Sequence, residues 1–384
     1  MRGEKVMKRY IYFDNAATTL NKPETVSRAT VYAIERLANP GRSGHDLSIN
    51  AAGEIYECRN AVCHLFGCDS PERVIFTHNA TYALNMAIKG LVEPGSHILF
   101  SNYEHNSVIR PIHALSKNKE LDISYTVFDA TGKDSDTVYD FSSKIRPNTR
   151  LAVVTLASNV CGRILPIAKL TEICRKKGIT FICDASQGAG CVPINVKALG
   201  IDVLCFTGHK SLYGPQGTGG IIFCTDKEPR AIIEGGNGIN STDKNMSGPL
   251  PERLEAGTLN TPGICGLSAG IAYISKIGIN EIYGRNLQLI DKLTENLASI
   301  SGITLYGVTS QRTPTLIFNK KGICSEDMAK MLNDKGICVR GGFHCAPLAH
   351  TALNTGECGA VRASLSFNNT MNEIDTFSSV VNKL

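Results

Sequence analysis

Short apolar runs that stop abruptly at polar residues recur through the middle of the chain, separated by stretches of helical periodicity. Residues 73–77, 97–101, 123–128, 151–157, 180–184, 203–207 and 219–224 are strand-like. Their successive positions are apolar rather than alternating, which predicts strands buried on both faces. Residues 79–89 and 107–117 read as helices. Ile167, Leu170, Ile173 and Cys174 recur at helical spacing before the run that ends at Asp184. The pattern predicts an α/β fold with a mainly parallel sheet and helices on both faces.

The rhythm breaks at a glycine-rich stretch, residues 234–261, and a loop of that length in a compact protein is more often functional than idle. A long helical region is expected over 264–299. Beyond it, strands at 315–318, 336–340 and 360–364 mix with helices, as in a smaller α+β domain. A length of 384 residues is also long for one hydrophobic core. The expected division is an N-terminal segment (1–18) packing with the small domain, a large domain (19–263) and a small C-terminal domain (264–384).

Forty basic residues against 35 acidic ones give a dispersed charge of +5, too mild to indicate nucleic acid. No run of about 20 apolar residues is present, so no membrane span is expected. Several of the 14 cysteines, among them Cys183, Cys205 and Cys224, sit in apolar runs where a thiol behaves as a small hydrophobe. With no apolar signal segment near Met1, a reducing cytoplasm is expected rather than a disulfide framework.

Asp184 and Lys210 each stand at the mouth of an apolar strand, where a parallel sheet delivers side chains to a crevice. A lysine there can hold an aldehyde cofactor as a Schiff base, and a carboxylate can pair with a pyridinium nitrogen. The pair suggests pyridoxal phosphate; a buried ion pair is the plainer alternative. Thr77-His78-Asn79-Ala80-Thr81 opens a helix with free backbone amides suited to phosphate, or is an ordinary cap. Thr207 and His209 flank the lysine as further phosphate donors. His105 follows another strand and can stack on a pyridine ring or cap the next helix. Asn159 and Gln187 finish two more strands within reach of the ring hydroxyl.

A second group lies near the C-terminus: Arg340-Gly341-Gly342-Phe343-His344-Cys345-Ala346-Pro347. Its glycines and proline present Cys345 on a loop whose basic neighbours favour the thiolate. A zinc site from His344, Cys345, His350 and Cys358 lacks a recurring Cys-x-x-Cys spacing, and no metal is expected. Arg362, inside a strand-like segment, can grip a carboxylate through two parallel bonds, or is an exposed edge-strand charge. The string ending in Lys210 is not a phosphate-binding P-loop, because His209 and Cys205 occupy the places that motif reserves for glycine.

Together these segments resemble the class V aminotransferase family, in its cysteine desulfurase and selenocysteine lyase branch. The resemblance is carried by the run from Tyr12 to Thr19, Asp184-x-x-Gln187, Thr207-Gly208-His209-Lys210, Gly257-Thr258, the run from Arg340 to Cys345, and Arg362. It implies a homodimeric fold-type I pyridoxal-phosphate enzyme with a seven-stranded sheet in its large domain. Lys210 would bind the cofactor aldehyde, Asp184 its ring nitrogen, His105 its face and Gln187 its phenolic oxygen. Ala80, Thr81, Thr207 and His209 would hold phosphate, with Thr258 reaching in from the other subunit. Ala16, His45, Asn159, Arg340 and Arg362 would form the substrate pocket. Cys345 would take sulfur from L-cysteine as a persulfide, leaving L-alanine and passing sulfur to a protein acceptor. The compact cysteine loop is similar to the Suf-like subgroup, which commonly has a histidine just before the His-Cys pair; here that place is Phe343. Release of selenide from L-selenocysteine, another lyase or aminotransferase reaction, and a cofactor-free sulfur-carrier scaffold remain alternatives.

Overall fold

The structure, a computed structural model, describes residues 10–41, 43–239 and 241–384. The chain opens with β1 (Ile11–Tyr12), α1 (Glu24–Arg36) and α2 (Asp46–Phe66). Strands and helices then alternate: β2 (Val74–Thr77), α3 (Ala80–Leu91), β3 (His97–Ser101), α4 (Asn106–Lys117), β4 (Ser124–Phe128) and α5 (Asp134–Ser143). The alternation continues with β5 (Thr149–Thr155), α6 (Ile167–Lys177), β6 (Thr180–Asp184), β7 (Val203–Thr207) and β8 (Gly219–Phe223). These form the expected seven-stranded sheet in the order β2-β8-β7-β6-β5-β3-β4. Neighbours from β7 through β4 run parallel, while β8 is antiparallel to both β7 and β2.

Burial on both faces explains the unbroken apolar runs. In β6, Phe181 and Cys183 enter one core cluster and Ile182 enters another on the opposite face. Likewise Leu204 and Phe206 of β7 point to the first cluster, and Val203 and Cys205 to the second. Sealed this way, the strands form a rigid base, and only their carboxyl ends open onto a crevice.

The helical region expected over 264–299 is two helices, α7 (Thr261–Ile277) and α8 (Ile279–Ala298), bent by 81°. Gly278 makes the break at φ 95°, a conformation that a side chain resists. This moves the boundary expected at residue 264. Ile264, Leu267, Ile271 and Ile274 of α7 pack into the large-sheet core beside α1 and α2. The smaller core begins only along α8, at Leu289, Ile290 and Leu293. It is completed by β9 (Ile303–Tyr306), β10 (Thr315–Lys320), α9 (Ser325–Asp334), β11 (Ile337–Cys338), β12 (Val361–Ser364) and α11 (Met371–Lys383), whereas α10 (Pro347–Ala352) places Ala349 in the large core. Three of these strands form an antiparallel sheet, β12-β10-β9. Phe13 joins this smaller core and β1 pairs with β11, so residues 10–13 pack with the small unit. Residues 1–9 of the expected N-terminal segment lie outside the described residues.

Two expectations about cysteine need correction. Cys63 and Cys68 are joined as a disulfide across the end of α2, where Gly67 turns the chain at φ 68° and brings the two close. Cys224 lies just past the end of β8 and is exposed, not buried in the run. Among the described residues no single helix is long and apolar enough to cross a membrane. The 234–261 stretch contains no helix or strand until Thr261 among its described residues. It is tied to the sheet by buried Glu255, which accepts from Phe76 N (2.7 Å) and pairs with Arg59 (2.6 Å).

Candidate active site

Between the strand ends and the small unit lies an open cavity of about 920 Å³. Its floor is the carboxyl ends of β5, β6 and β7 with the first turns of α3 and α4. Its far wall comes from the loop after β11 and from β12.

Asp184 is the last residue of β6 and is buried. One carboxylate oxygen accepts from Ser186 N (2.9 Å) and the Ser186 hydroxyl, which fixes the side chain's direction. Past β7, the segment from Gly208 to Lys210 is clamped from below. The His209 carbonyl accepts from Thr19 N (3.1 Å) and Thr18 Oγ1 (3.1 Å), and the Lys210 carbonyl from Thr19 Oγ1 (2.9 Å). Lys210 Nζ has no hydrogen-bond or ion-pair partner among the described residues, although its side chain lines the cavity. Burial lowers its pKa to about 8; nearby Asp184 opposes that shift, and Arg362 and Arg340 add to it. An amine held that way is poised to condense with an aldehyde near neutral pH.

His105 satisfies both of its sequence readings. It caps α4, with Nδ1 accepting from Ser107 N (3.0 Å), and its ring also lines the cavity. Burial outweighs the attraction of Asp184 and pulls its pKa to about 4, so the imidazole is neutral with its hydrogen on Nε2. At α3, Asn79 is the cap and its side chain takes the Tyr82 amide (3.1 Å). The amides of Ala80 and Thr81 have no carbonyl in the preceding turn and stand at the cavity beside Thr207 and His209. Gly219 makes this corner possible: a Cβ there would lie 2.9 Å from Asn79 Cα.

Arg362 is buried in β12, not an exposed edge charge. Its guanidinium donates to Asp14 Oδ1 (2.9 Å) and the Asn159 carbonyl (2.9 Å), while its Nε has no partner. Arg340 pairs with it backbone to backbone, and both line the cavity. Gln187 donates to the Ala16 carbonyl (3.1 Å), and the Asn159 amide to the His344 carbonyl (2.8 Å). Cys345 itself is exposed and follows His344, which lines the cavity; its carbonyl accepts from Asn106 N (2.8 Å).

Two expected residues stand elsewhere in this chain. His45 caps α2, accepting from Ser48 N (3.3 Å), and is exposed away from the cavity. Thr258 is exposed beside Phe76, His78 and Tyr82 on the outer side of α3. Of the residues considered for zinc, His344 and His350 bond to each other, and no three metal-binding side chains converge among the described residues. Sequence reasoning gave no role to Asp14 or Glu104. Asp14 sat inside the Tyr12–Thr19 run and Glu104 directly before His105, and those positions were the available signal.

Residues 11–377 match the family described as Aminotransferase class-V. The chain belongs to this family. It is 32% identical to a probable cysteine desulfurase of Methanothermobacter thermautotrophicus, across 100% of this chain and 96% of that protein. A probable cysteine desulfurase of Mycobacterium leprae is 31% identical over 98% of this chain, which spans 62% of that longer relative. Among solved structures, a cysteine desulfurase from Thermococcus onnurineus NA1 matches with a TM-score of 0.89 at 33% identity, covering 97% of this chain and 94% of that one.

Class V aminotransferases of the cysteine desulfurase type are pyridoxal-phosphate enzymes, and the residues present fit that group. The cavity offers an unpartnered amine at Lys210, a carboxylate at Asp184, and unbonded amides at Ala80 and Thr81. These complement the aldehyde, the ring nitrogen and the phosphate respectively.

Proposed function

We propose that this protein is a pyridoxal-phosphate-dependent cysteine desulfurase that converts L-cysteine and Cys345 thiol into L-alanine and a Cys345 persulfide. One observation carries the reading: the loop bearing Cys345 is tied by hydrogen bonds from Asn106 and Asn159 to the rim of the cavity that holds Lys210 and Asp184. A thiol so placed serves a reaction begun on that cavity's floor. The relatives' names favour cysteine over selenocysteine as substrate.

Lys210 would hold the cofactor, and Asp184, oriented by Ser186, would pair with its ring nitrogen. Bound there, the cofactor supplies an electron sink for the substrate's α-carbon. Arg362, with an unbonded Nε and its terminal nitrogens braced by Asp14 and Asn159, holds the substrate carboxylate. Lys210 Nζ would take the substrate's α-proton; its pKa near 8 suits an amine that accepts and returns a proton. Neutral His105, whose ring lines the same cavity, would cover the cofactor ring and offer its Nε2–H to the substrate. The Cys345 thiolate then attacks the substrate sulfur. A sulfur–sulfur bond forms, the carbon–sulfur bond breaks, and the carbon is reprotonated to alanine.

The site is completed by a second copy of the chain. Thr258 faces outward, and Val31, Tyr32 and Ile34 of α1 are large apolar residues left exposed on the same protomer. The persulfide passes to a protein acceptor in a soluble, cytoplasmic setting. The test uses purified protein loaded with cofactor and incubated with cysteine, and in parallel with selenocysteine. Alanine and chalcogenide are quantified for wild type and Cys345→Ser. The variant should keep its cofactor absorbance and lose sulfide release from cysteine. Full desulfuration by Cys345→Ser would remove the thiol from the mechanism.

A further inference from the structure

The loop that carries Cys345 passes through two successive left-handed residues that are not glycine, His344 (φ 51°) and Cys345 (φ 57°). Side chains resist that conformation, so surrounding contacts must hold it. The His344 ring is buried and engaged at both nitrogens. Nε2 lies 3.2 Å from the Arg340 carbonyl, and Nδ1 lies 2.9 Å from His350 Nε2. His350, also buried, continues the line, with Nδ1 2.8 Å from Thr355 Oγ1. The two imidazoles meet edge to edge through the His344–His350 bond, their centroids 5.1 Å apart and their planes within 24°, and Phe343 packs edge-on against His350 at 5.4 Å.

The far end of the line sets its direction. A backbone carbonyl only accepts, so His344 Nε2 carries the hydrogen. His344 is neutral: burial first, then Arg362, with His350 and Arg340 adding, pulls its pKa to about 2 against the carbonyl bond. Lys210 and Asp184 line the same cavity with opposite charges. His344 Nδ1 is therefore a bare acceptor, and His350 must donate from Nε2. His350, neutral because burial and Arg362 pull its pKa to about 4, accepts at Nδ1 from the Thr355 hydroxyl. Every hydrogen points from Thr355 through His350 and His344 to Arg340.

We propose that His350 and Thr355 are positioning residues for the Cys345 thiol, locking the His344 ring and with it the left-handed turn that presents the sulfur. The proposal rests on Cys345 being the sulfur acceptor. His350 and Thr355 are not part of the cavity wall, so they act through His344, which is.

The test uses cofactor-loaded His350→Leu, His350→Gln and Thr355→Val. Glutamine keeps an N–H donor where leucine has none. Alanine formed in the first turnover is measured against cysteine concentration, together with the rate at which iodoacetamide alkylates Cys345 without substrate. His350→Leu should slow the first turnover at least tenfold with half-saturation within twofold. It should also change the rate at which iodoacetamide alkylates Cys345 by threefold or more, because the turn that presents the sulfur loses its brace. His350→Gln should stay within threefold of wild type on both readouts, and Thr355→Val should fall between. Leucine and glutamine variants equally impaired, or a leucine variant with wild-type turnover and alkylation rates, would overturn the proposal. If His350→Leu fails to fold, Thr355→Val decides: turnover and alkylation rates indistinguishable from wild type would overturn it. Failure of the desulfurase reading is separate, seen as no alanine from wild type. In that event the alkylation rate decides, with a change of threefold or more in His350→Leu but not in His350→Gln supporting positioning, and any other pattern refuting it.

Discussion

Glu104 offers the sharpest physical test of the site's interior. It lies directly before His105 and is fully buried. One oxygen accepts from Ser101 Oγ (2.5 Å) and Thr155 N (2.8 Å), whereas the other has no partner. Burial, reinforced by the charge of Asp184, pushes its pKa from 4.5 up to about 8 despite those two bonds. Glu104 is thus protonated in the folded protein at neutral pH, and in the unfolded chain it is ionised. Between pH 4.5 and about 8 the folded state holds a proton that the unfolded state has lost. Stability is therefore complete below that window and falls through it by about 1.4 kcal/mol per pH unit, on the order of 5 kcal/mol in all. Glu104→Gln supplies a neutral group of the same shape. Urea unfolding of cofactor-loaded wild type and variant from pH 5 to 9 isolates this carboxyl, because other titrating groups cancel in the difference. The variant should gain on wild type by roughly 1 kcal/mol for each pH unit between 6 and 8. A difference that does not change with pH would refute the buried, protonated assignment.

Two further outcomes bear on the cavity. Arg362→Lys replaces a guanidinium braced by Asp14 and the Asn159 carbonyl with a point charge, so KM for cysteine should rise about tenfold or more while cofactor absorbance stays unchanged. Steady-state kinetics with an absorbance scan decide this. In cofactor-free protein, Lys210 must be deprotonated to condense with the aldehyde, and its pKa is about 8. The second-order rate of cofactor capture, followed by absorbance, should fall about tenfold per pH unit below that value and level off above it.

The sheet was legible because its strands are buried on both faces, which leaves the unbroken apolar runs that end at Asp184 and near Lys210. The convergence of His105, Asn159, Asp184, Gln187 and Lys210 on one cavity followed from the rule that parallel strands open at their carboxyl ends. What escaped depends on side-chain packing rather than periodicity. The apolar stripe continues through Gly278, so hydrophobic spacing alone gives no sign that α7 and α8 part there or that α7 belongs with the large core. A buried arginine and an exposed one look alike in a strand such as β12, and only the approach of Asp14, 348 residues away in sequence, separates them. The link from Thr355 to Arg340 was equally silent, since it joins residues through ring nitrogens, not through a repeat.

The site divides its labour between two kinds of structure. Asp184 and Lys210, which in the proposed reaction would have to stay still relative to the cofactor, are fixed by the large sheet and its clamped strand ends, where displacement would disturb a core packed on both faces. In the proposed reaction the nucleophile would have to meet both a substrate inside the cavity and an acceptor outside it, and a strand end could not serve both. Cys345 instead lies exposed on a loop whose left-handed turn is tied by polar contacts: Asn106 and Asn159 from the large unit, and the Thr355–His350–His344 line from the small one. Directional bonds of this kind can fix a backbone while leaving the sulfur in solvent, which apolar packing could not do without covering the thiol.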